Sequence, residues 1–337
     1  MEMWRLRLTP DVRQKFFLLV ILSSTLVMMT GLTTQPRSDF ISRVEKWDEP
    51  RAPPSDANCS YFKSNEFRSW NAHVQKQRLS HVTEVCRQWK PQDNLTVAML
   101  DHIVVDDYHK VMYCAIPKVA CTNWKKVLVQ YSPESSPSGI WNVHNSRFMQ
   151  NMGLRYLNTY NKSEILHRVK SYFKFMFVRN PFERLLSAYK DKFTVYNKFT
   201  KHFRHKYAKK IIKRYRKESL RDELRFSEFV KYLIDLKDTE EPFNPHWAHY
   251  SELCQPCRIS YNYIGKMDTM RFDAQSILQR LGGSTECQRL PSYLNQNQKT
   301  APIMEQYYKN ISQGDLQKLV QVYSLDFKLF EYSPYIH

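Results

Sequence analysis

The sequence predicts an α/β fold in which a parallel sheet is flanked by helices and follows an N-terminal membrane anchor. Strand-like apolar runs occupy residues 111–116, 172–178 and 261–264, and each is followed by a helical pattern. This alternation of strands and helices favours a parallel sheet with helices on its faces. A chain of 337 residues can bury one large core of this kind, although length alone is a soft guide to domain number.

The first strand-like run leads into a turn that contains a lysine and then into a helix. The turn and the first helical positions are occupied by Pro117, Lys118, Val119, Ala120, Cys121, Thr122 and Asn123. The first amides of a helix have no partner inside it, and the helix dipole favours an anion there. Lys118 adds a cation with three donors, and Ala120 is small enough for a ligand to approach the backbone. We predict a phosphate-like site here; the alternative is an ordinary turn with a solvated lysine.

A second junction between a strand and a helix also carries basic and hydroxyl side chains. Arg179 follows residues 172–178, at the carboxyl end of the strand, where ligands bind in open α/β sheets. Pro181 suits the first position of a helix, and Arg184 and Ser187 lie on one face of that helix. The residues predicted to bind a second phosphate are Arg179, Asn180, Pro181, Phe182, Glu183, Arg184, Leu185, Leu186 and Ser187. Two anion sites in one domain imply a ligand that is phosphorylated at two positions.

Glycine is scarce, at 7 residues, and none lies beside either predicted anion site. A Walker loop needs glycines before its lysine, and a dinucleotide-binding fingerprint needs them before its helix. A nucleotide kinase of similar sheet topology is therefore a disfavoured alternative. Cys254 and Cys257 have the spacing of half a zinc site, but no second pair completes it, and no carboxylate cluster suited to magnesium is evident. We predict no metal.

An uncharged segment near the N-terminus predicts a membrane anchor. Residues 16–36 carry no charge and are long enough to cross a bilayer, which takes roughly 20 residues. Lys and Arg residues precede the segment, so the positive-inside rule keeps the N-terminus in the cytoplasm. A cleaved signal peptide is the alternative, but its apolar region is usually shorter. The predicted organisation is a cytoplasmic tail at 1–15, a signal-anchor at 16–36, a luminal stem at 37–99 and a luminal α/β domain at 100–337.

Glycosylation motifs and cysteines agree with a luminal location. Sequons of the type Asn-X-Ser/Thr lie beyond the predicted anchor, at Asn58, Asn94, Asn161 and Asn310. The chain also has 7 cysteines, which permit disulfides in an oxidising compartment.

The pairing of the cysteines cannot be deduced from the sequence alone. The alternatives are a local bridge between Cys254 and Cys257 and longer bridges that involve Cys86 and Cys287. Cys114 and Cys121 flank the first anion site, and we expect them to be small buried residues without a redox role.

The net charge of +18 and one basic segment predict a polyanionic partner. Between residues 201 and 225, Phe203, Tyr207, Ile211 and Tyr215 recur every four residues among many Lys and Arg side chains. This spacing indicates an amphipathic helix with one packed stripe. Nucleic acid fits the charge, but the predicted anchor places the segment in a lumen, where an anionic glycan is the natural partner. A solvated basic face without a partner is the alternative.

Both junctions resemble the two cofactor-binding motifs of the Golgi carbohydrate sulfotransferases. The resemblance extends from about Leu100 to the C-terminus and includes residues 226–230, 241–244, 246–247, 254–257 and 325–327. It points to the branch of chondroitin and dermatan 4-O-sulfotransferases, N-acetylgalactosamine 4-O-sulfotransferases and the natural killer epitope sulfotransferase. Residues 117–124 and 240–244 resemble the chondroitin enzymes most. One departure is Asn180, where members usually carry an acidic residue.

The resemblance implies a P-loop-like sulfotransferase fold and 3′-phosphoadenosine 5′-phosphosulfate (PAPS) as the sulfuryl donor. Residues 117–123 would hold the 5′-phosphosulfate, and Arg179 with Ser187 would hold the 3′-phosphate. Lys118 would stabilise the charge that grows on the oxygen leaving sulfur during an in-line transfer.

The same resemblance implies a type II Golgi membrane protein whose acceptor is a hydroxyl of a luminal glycan. That hydroxyl needs a base, and His144 and His246 are the candidates because imidazole has a suitable pKa. A carboxylate such as Glu183 or Glu241 is the alternative base. The likeness indicates O-4 of N-acetylgalactosamine in chondroitin. Dermatan, another terminal sugar and a non-catalytic glycan-binding protein on the same fold stay open.

Overall fold

The computed structural model describes residues 53, 57–91, 94–134, 142–216, 223–282 and 301–335, and the statements below concern those residues. Their centre is a 5-stranded sheet in the order β3-β1-β2-β4-β5. The strands are β1 Ile103–Asp106, β2 Val111–Cys114, β3 Leu154–Tyr156, β4 Phe173–Val178 and β5 Tyr263–Lys266.

The sheet is mixed, so the prediction of a wholly parallel sheet is wrong. The predicted strands form the parallel part, in which β4 pairs with β2 on one side and β5 on the other. β1 pairs with β2 and β3 in antiparallel register. The physical reason is the short β1–β2 connection, since a tight turn can join only antiparallel neighbours. The prediction of a sheet flanked by helices is confirmed.

Helices account for most of the remaining described residues. They are α1 Cys59–Lys63, α2 Asn65–Trp89, α3 Cys121–Tyr131, α4 Ser146–Asn151, α5 Lys162–Ser171, α6 Pro181–Tyr189, α7 Lys201–Phe203, α8 Lys209–Tyr215, α9 Phe226–Leu236, α10 Tyr250–Cys254, α11 Met270–Arg280, α12 Ala301–Tyr308, α13 Gln313–Val322 and α14 Ser324–Leu329. Wider π turns at Lys190–Thr194 and Arg204–Ala208 follow α6 and α7.

The sheet core forms around β4, which is apolar because it is covered on both faces. Phe175 and Phe177 are fully buried and pack on Trp124 of α3, with ring centroids 5.5 and 4.7 Å from that of Trp124. Gly265 of β5 is required at its position, since a Cβ there would clash with the ring of Phe177. A second buried apolar cluster joins α6, α8, α9 and α13.

The predicted stem contains residues that pack onto the sheet. Helix α2 covers the edge of β5, where the Gln75 side chain accepts from the Ile264 N–H at 2.9 Å and donates to the Ile264 carbonyl at 3.1 Å. Arg78 of the same helix forms a buried ion pair with Asp273 at 2.9 Å. A side chain that hydrogen-bonds to an edge strand protects the edge from pairing with other chains. One compact unit spans residues 50–337, so the part of 37–99 beyond residue 50 belongs to it.

Disulfides connect distant parts of the chain, which confirms the alternative of a longer bridge that involves Cys86 and rules out the local bridge between Cys254 and Cys257. Cys86 of α2 pairs with Cys257, and Cys114 of β2 pairs with Cys254. The left-handed backbone at Gln255 separates Cys254 from Cys257, so the two face different elements. Cys114 is buried as predicted but bridged, whereas Cys121 forms no disulfide with another described cysteine. Cys287 lies outside the described residues.

Among the helices that the structure describes, none has both the length and the apolar composition to cross a bilayer. The predicted anchor at residues 16–36 and the cytoplasmic tail at 1–15 lie outside the described residues, so both stay predictions.

Candidate functional site

The first predicted anion site forms a loop between β2 and α3, at the carboxyl end of β2. Its backbone is left-handed at Lys118, with φ of 72°, and at Ala120, with φ of 54°. Such conformations cost energy in residues other than glycine and cluster at ligand sites. The Trp124 N–H donates to the Ala120 carbonyl at 3.0 Å, so the helical bonding of α3 begins directly at this loop. The loop therefore has the predicted order of strand, turn and helix without glycine, and its role as an anion site stays a prediction.

Lys118 forms an ion pair with Asp191, a residue that belongs to neither of the two predicted anion sites. Its Nζ donates to Asp191 Oδ2 at 3.0 Å, and Lys192 Nζ lies 3.0 Å from the same oxygen. Burial lowers the pKa of Lys118, and the charge of Asp191 opposes that shift. Burial alone would raise the pKa of Asp191, but the two lysines hold it below its usual value. Asp191 follows Ser187 by one helical turn, so extending the second motif by that turn would have found it.

The second predicted site lies beside the first. Arg179 is buried at the end of β4, and its Nη1 donates to the Lys118 carbonyl at 3.4 Å. Its Nε and Nη2 donate to Glu183 Oε2 at 3.3 and 3.2 Å. The Tyr250 hydroxyl accepts from the Arg179 N–H at 3.1 Å and donates to its carbonyl at 2.7 Å, which holds the strand end in place. The structure thus brings the two predicted anion sites together.

Arg184 links three loops, and its predicted role in binding the second phosphate stays a prediction. Its guanidinium donates to the carbonyls of Pro117 at 3.1 Å, Ala248 at 2.6 Å and Pro245 at 2.9 Å. It is 2 % exposed. Because each of its three nitrogens donates to a backbone carbonyl, Arg184 supports the loop.

Other members of the second motif are core residues or caps. Phe182, Leu185 and Leu186 are fully buried in the second apolar cluster, and Ser187 is buried beside them. Pro181 occupies the first turn of α6, as predicted.

Asn180 caps α6 in a way that accounts for its departure from the family pattern. Its Oδ1 accepts from the Phe182 N–H at 2.9 Å, which an acidic side chain could also do. Its Nδ2 donates to the Ser333 carbonyl at 3.5 Å, which a carboxylate could not do. The substitution therefore keeps the cap and adds a contact with the C-terminal segment.

His144 lies at the first anion site, as a candidate base should. Its Nε2 is 3.1 Å from Thr122 Oγ1 in the first turn of α3. The residue is exposed. Partial burial of the ring and the charges of Lys125, Lys192 and Lys126 lower its pKa.

His246 is close enough to Lys192 and Lys118 to feel their charges, and its tautomer is set by Asn244. The Oδ1 of Asn244 accepts from the His246 backbone N–H at 3.0 Å and lies 2.8 Å from Nδ1. This arrangement places the proton on Nδ1 and leaves Nε2 as an acceptor. Burial, with the charges of Lys192 and Lys118, lowers the pKa of His246 to about 3. Asn244 lies in the segment 241–244 that carries the family resemblance, but that segment alone does not indicate this role.

The carboxylates considered as alternative bases are engaged elsewhere. Glu183 accepts from Arg179, and Glu241 accepts from Lys210 Nζ at 2.5 Å on the surface. Glu241 also accepts from the Tyr232 hydroxyl at 3.4 Å, so these partners lie on α8 and α9.

The basic segment is helical with the predicted stripe. Tyr207 and Ile211 are buried, while Phe203 and Tyr215 are partly buried at the ends of the stripe. Phe203 packs on the ring of His246, with centroids 5.1 Å apart. The stripe therefore fixes the basic helix beside the site, with Lys209 and Lys213 among its exposed cations. The nearby Arg214 is paired with Asp235 at 2.8 Å.

The sequon asparagines are on the surface, since Asn58, Asn94, Asn161 and Asn310 are all exposed. Asn58 and Asn161 also cap the starts of α1 and α5. Within the described ranges, no group of three or more His, Cys, Asp or Glu side chains could hold a metal ion. The prediction of a metal-free site stays a prediction.

Comparisons with known proteins agree with this geometry. Residues 101–333 match the sulfotransferase family. The chain is 41 % identical over 273 residues to carbohydrate sulfotransferase 11 of Rattus norvegicus, covering 78 % of this chain and 77 % of that protein. It is 38 % identical over 319 residues to carbohydrate sulfotransferase 10 of Gallus gallus, covering 87 % and 86 %. It is 36 % identical over 273 residues to carbohydrate sulfotransferase 14 of Danio rerio, covering 77 % and 71 %. No solved structure matches the chain.

Proposed function

The chain belongs to the sulfotransferase family, and on that premise we propose that it moves a sulfuryl group from PAPS to a glycan hydroxyl. The acceptor we propose is O-4 of N-acetylgalactosamine in chondroitin. Two observations support this acceptor. They are the 41 % identity to carbohydrate sulfotransferase 11 and the resemblance of residues 117–124 to chondroitin enzymes. A basic helix beside the site suits a polyanionic acceptor.

The observation that carries the donor assignment is the contact between the two anion sites. Arg179 Nη1 reaches the Lys118 carbonyl at 3.4 Å, so one ligand with phosphates at two positions can contact both motifs. The left-handed loop and the first amides of α3 would receive the 5′-phosphosulfate, and Arg179 would receive the 3′-phosphate. In this P-loop-like arrangement, strained residues at Lys118 and Ala120 replace the glycines of a Walker loop.

Transfer then proceeds in line at sulfur. The acceptor oxygen forms a bond to sulfur while the bond from sulfur to the bridging oxygen breaks, and that oxygen leaves with the electron pair on the 3′,5′-bisphosphate product. Lys118 donates to the leaving oxygen, which is a preorganised charge stabilisation. The donor anion and Asp191 would share Lys118, because its Nζ carries three donors and Asp191 accepts one of them.

We infer that His144 takes the proton of the acceptor hydroxyl. It is exposed at the loop, with Nε2 3.1 Å from Thr122 Oγ1. A base works best when its pKa is near the working pH, and burial takes the pKa of His246 to about 3, far below it. His246 Nε2 remains an acceptor that can orient the sugar hydroxyl.

We also propose a Golgi membrane location with a luminal catalytic domain. Disulfides that close segments of 171 and 140 residues are typical of oxidising compartments. The exposed sequon asparagines agree with glycosylation in the same compartment.

The test is a transfer assay with the full-length chain in mild detergent. Radiolabelled PAPS is offered with desulfated chondroitin, desulfated dermatan and an oligosaccharide ending in N-acetylgalactosamine. We expect label on O-4 of chondroitin, and none with Lys118→Ala, which should keep the wild-type unfolding midpoint. Label on dermatan or on the terminal sugar alone would reassign the acceptor. Glycan binding without any transfer would favour the non-catalytic alternative.

A further inference from the structure

The loop between the π turn after α6 and helix α7 displays large apolar side chains to solvent. Val195, Tyr196 and Phe199 are 43 %, 60 % and 73 % exposed, and Phe199 is the most exposed large apolar residue among those described. Single exposed apolar residues are ordinary, but neighbouring aromatic rings on one loop are the kind of surface that binds a partner.

The loop is held rigidly from within. Asn197 Oδ1 accepts from the backbone N–H groups of Phe199 and Thr200 at 2.9 and 3.1 Å. The buried Thr200 hydroxyl donates to the Val195 carbonyl at 2.6 Å. Arg204 adds donors to that carbonyl at 3.0 Å and to Thr200 Oγ1 at 2.7 Å. The exposed rings are therefore presented in a fixed geometry, which reduces the entropy lost on binding.

A cationic side chain lies near each of the two exposed aromatic rings, Phe199 and Tyr196. Lys198 Nζ lies 5.1 Å from the centroid of Phe199, and the Arg204 guanidinium lies 4.3 Å from that of Tyr196. One acid is adjacent, since Glu223 accepts from the Tyr196 hydroxyl at 2.8 Å. The basic helix continues the positive charge beyond Arg204 with Lys206 and Lys209, both exposed. The surface thus combines aromatic faces with an excess of positive charge.

Both ends of the loop lie near Lys192, which pairs with the same Asp191 oxygen as Lys118. Its first end follows Lys192, and its other end leads to Phe203, whose ring lies 4.8 Å from Lys192 Nζ. Phe199 is four residues from Phe203, so their Cα atoms are at most about 14 Å apart. Phe203 also packs on His246. A ligand on the loop is therefore within reach of the reacting groups if it is a chain of several units.

We propose that Tyr196, Lys198, Phe199 and Arg204 form an acceptor platform that binds an anionic sugar chain next to the residue being sulfated. The apolar face of a sugar ring packs on Phe199 and Tyr196, and its carboxylate is met by Lys198 and Arg204. This inference rests on the proposed function and adds the subsite that grips the acceptor outside the reaction centre.

The experiment compares Phe199→Ala and Lys198→Ala with wild type in the full-length chain. Both side chains are exposed, so neither change should affect folding. We expect each variant to raise the KM for polymeric chondroitin about fivefold, as loss of an exposed aromatic or cationic contact does. The KM for PAPS and the kcat at saturating acceptor should not change. Tyr108→Ala is the matched control, because Tyr108 is 70 % exposed at the β1–β2 turn, the opposite end of β2 from the site.

Two readouts separate this inference from the proposed function. If wild type transfers sulfate to chondroitin and both variants keep its KM, the platform is refuted while the function stands. If wild type transfers no sulfate, the proposed function fails, and direct binding of chondroitin without donor decides the platform. Weaker binding by Phe199→Ala and Lys198→Ala than by Tyr108→Ala supports it, and equal binding overturns it.

Discussion

Replacing Arg184 with alanine should unfold part of the site, because Arg184 joins three loops. The change removes donors from the carbonyls of Pro117, Ala248 and Pro245, of which the Ala248 carbonyl belongs to a buried residue. A hydrogen bond to a charged group contributes about 1.5–3 kcal/mol, so three bonds with partial relaxation give a loss of about 4 kcal/mol. That is a large part of the stability of an ordinary domain.

The assay is equilibrium unfolding in urea, followed by tryptophan fluorescence with the disulfides intact. A loss of about 4 kcal/mol should lower the midpoint by about 1 to 2 M, given typical denaturant slopes. Arg184→Lys should give an intermediate loss, since one ammonium cannot reach three carbonyls. Arg87→Ala is the control, because Arg87 is exposed in a surface pair with Glu84 and should change little.

The opposite outcome would support Arg184 as a residue that binds PAPS, the sulfuryl donor. If Arg184→Ala keeps the wild-type midpoint and instead weakens PAPS binding tenfold, the guanidinium contacts the cofactor and the structural interpretation is wrong.

Further changes test the donor site, the buried histidine and the basic helix. Arg179→Ala should weaken the binding of PAPS and of the 3′,5′-bisphosphate at least tenfold, or about 1.4 kcal/mol, as measured by calorimetry. An equal loss of affinity for an analogue without the 3′-phosphate would contradict the assignment of Arg179 to that phosphate. His246 has its pKa lowered from 6.5 to about 3, so its contribution to stability is present above pH 6.5 and is lost as the pH falls towards 3. Urea midpoints of wild type should fall over that range, and those of His246→Gln should fall less; parallel curves would show that His246 is not the cause. The double variant Lys209→Glu, Lys213→Glu should raise the KM for chondroitin and make that KM depend less on salt concentration. An unchanged salt dependence would mean that the basic helix is a solvated face without a glycan partner.

Much of the site could be predicted from short stretches of sequence. A strand, a turn with a lysine and a helix start are local features, so the strand–turn–helix geometry around residues 117–123 was predictable. The amphipathic stripe through Tyr207 and Ile211 was predictable for the same reason, since helical spacing alone decides which side chains share a face. The parallel pairing of β4 followed from the alternation of strands and helices.

The remainder depended on contacts between distant segments. The sequence alone placed Arg179 and Lys118 at strand ends, determined the composition of the basic helix and indicated a sulfotransferase. Only the tertiary structure decided that Arg184 serves three carbonyls that lie 61 to 67 residues away. It also decided that Cys114 pairs with Cys254 across 140 residues and that Asp191 holds Lys118. The partner of a hydrogen-bond donor or a thiol depends on how distant segments of the chain pack together. Residue type and local spacing do not determine which distant segment will lie opposite.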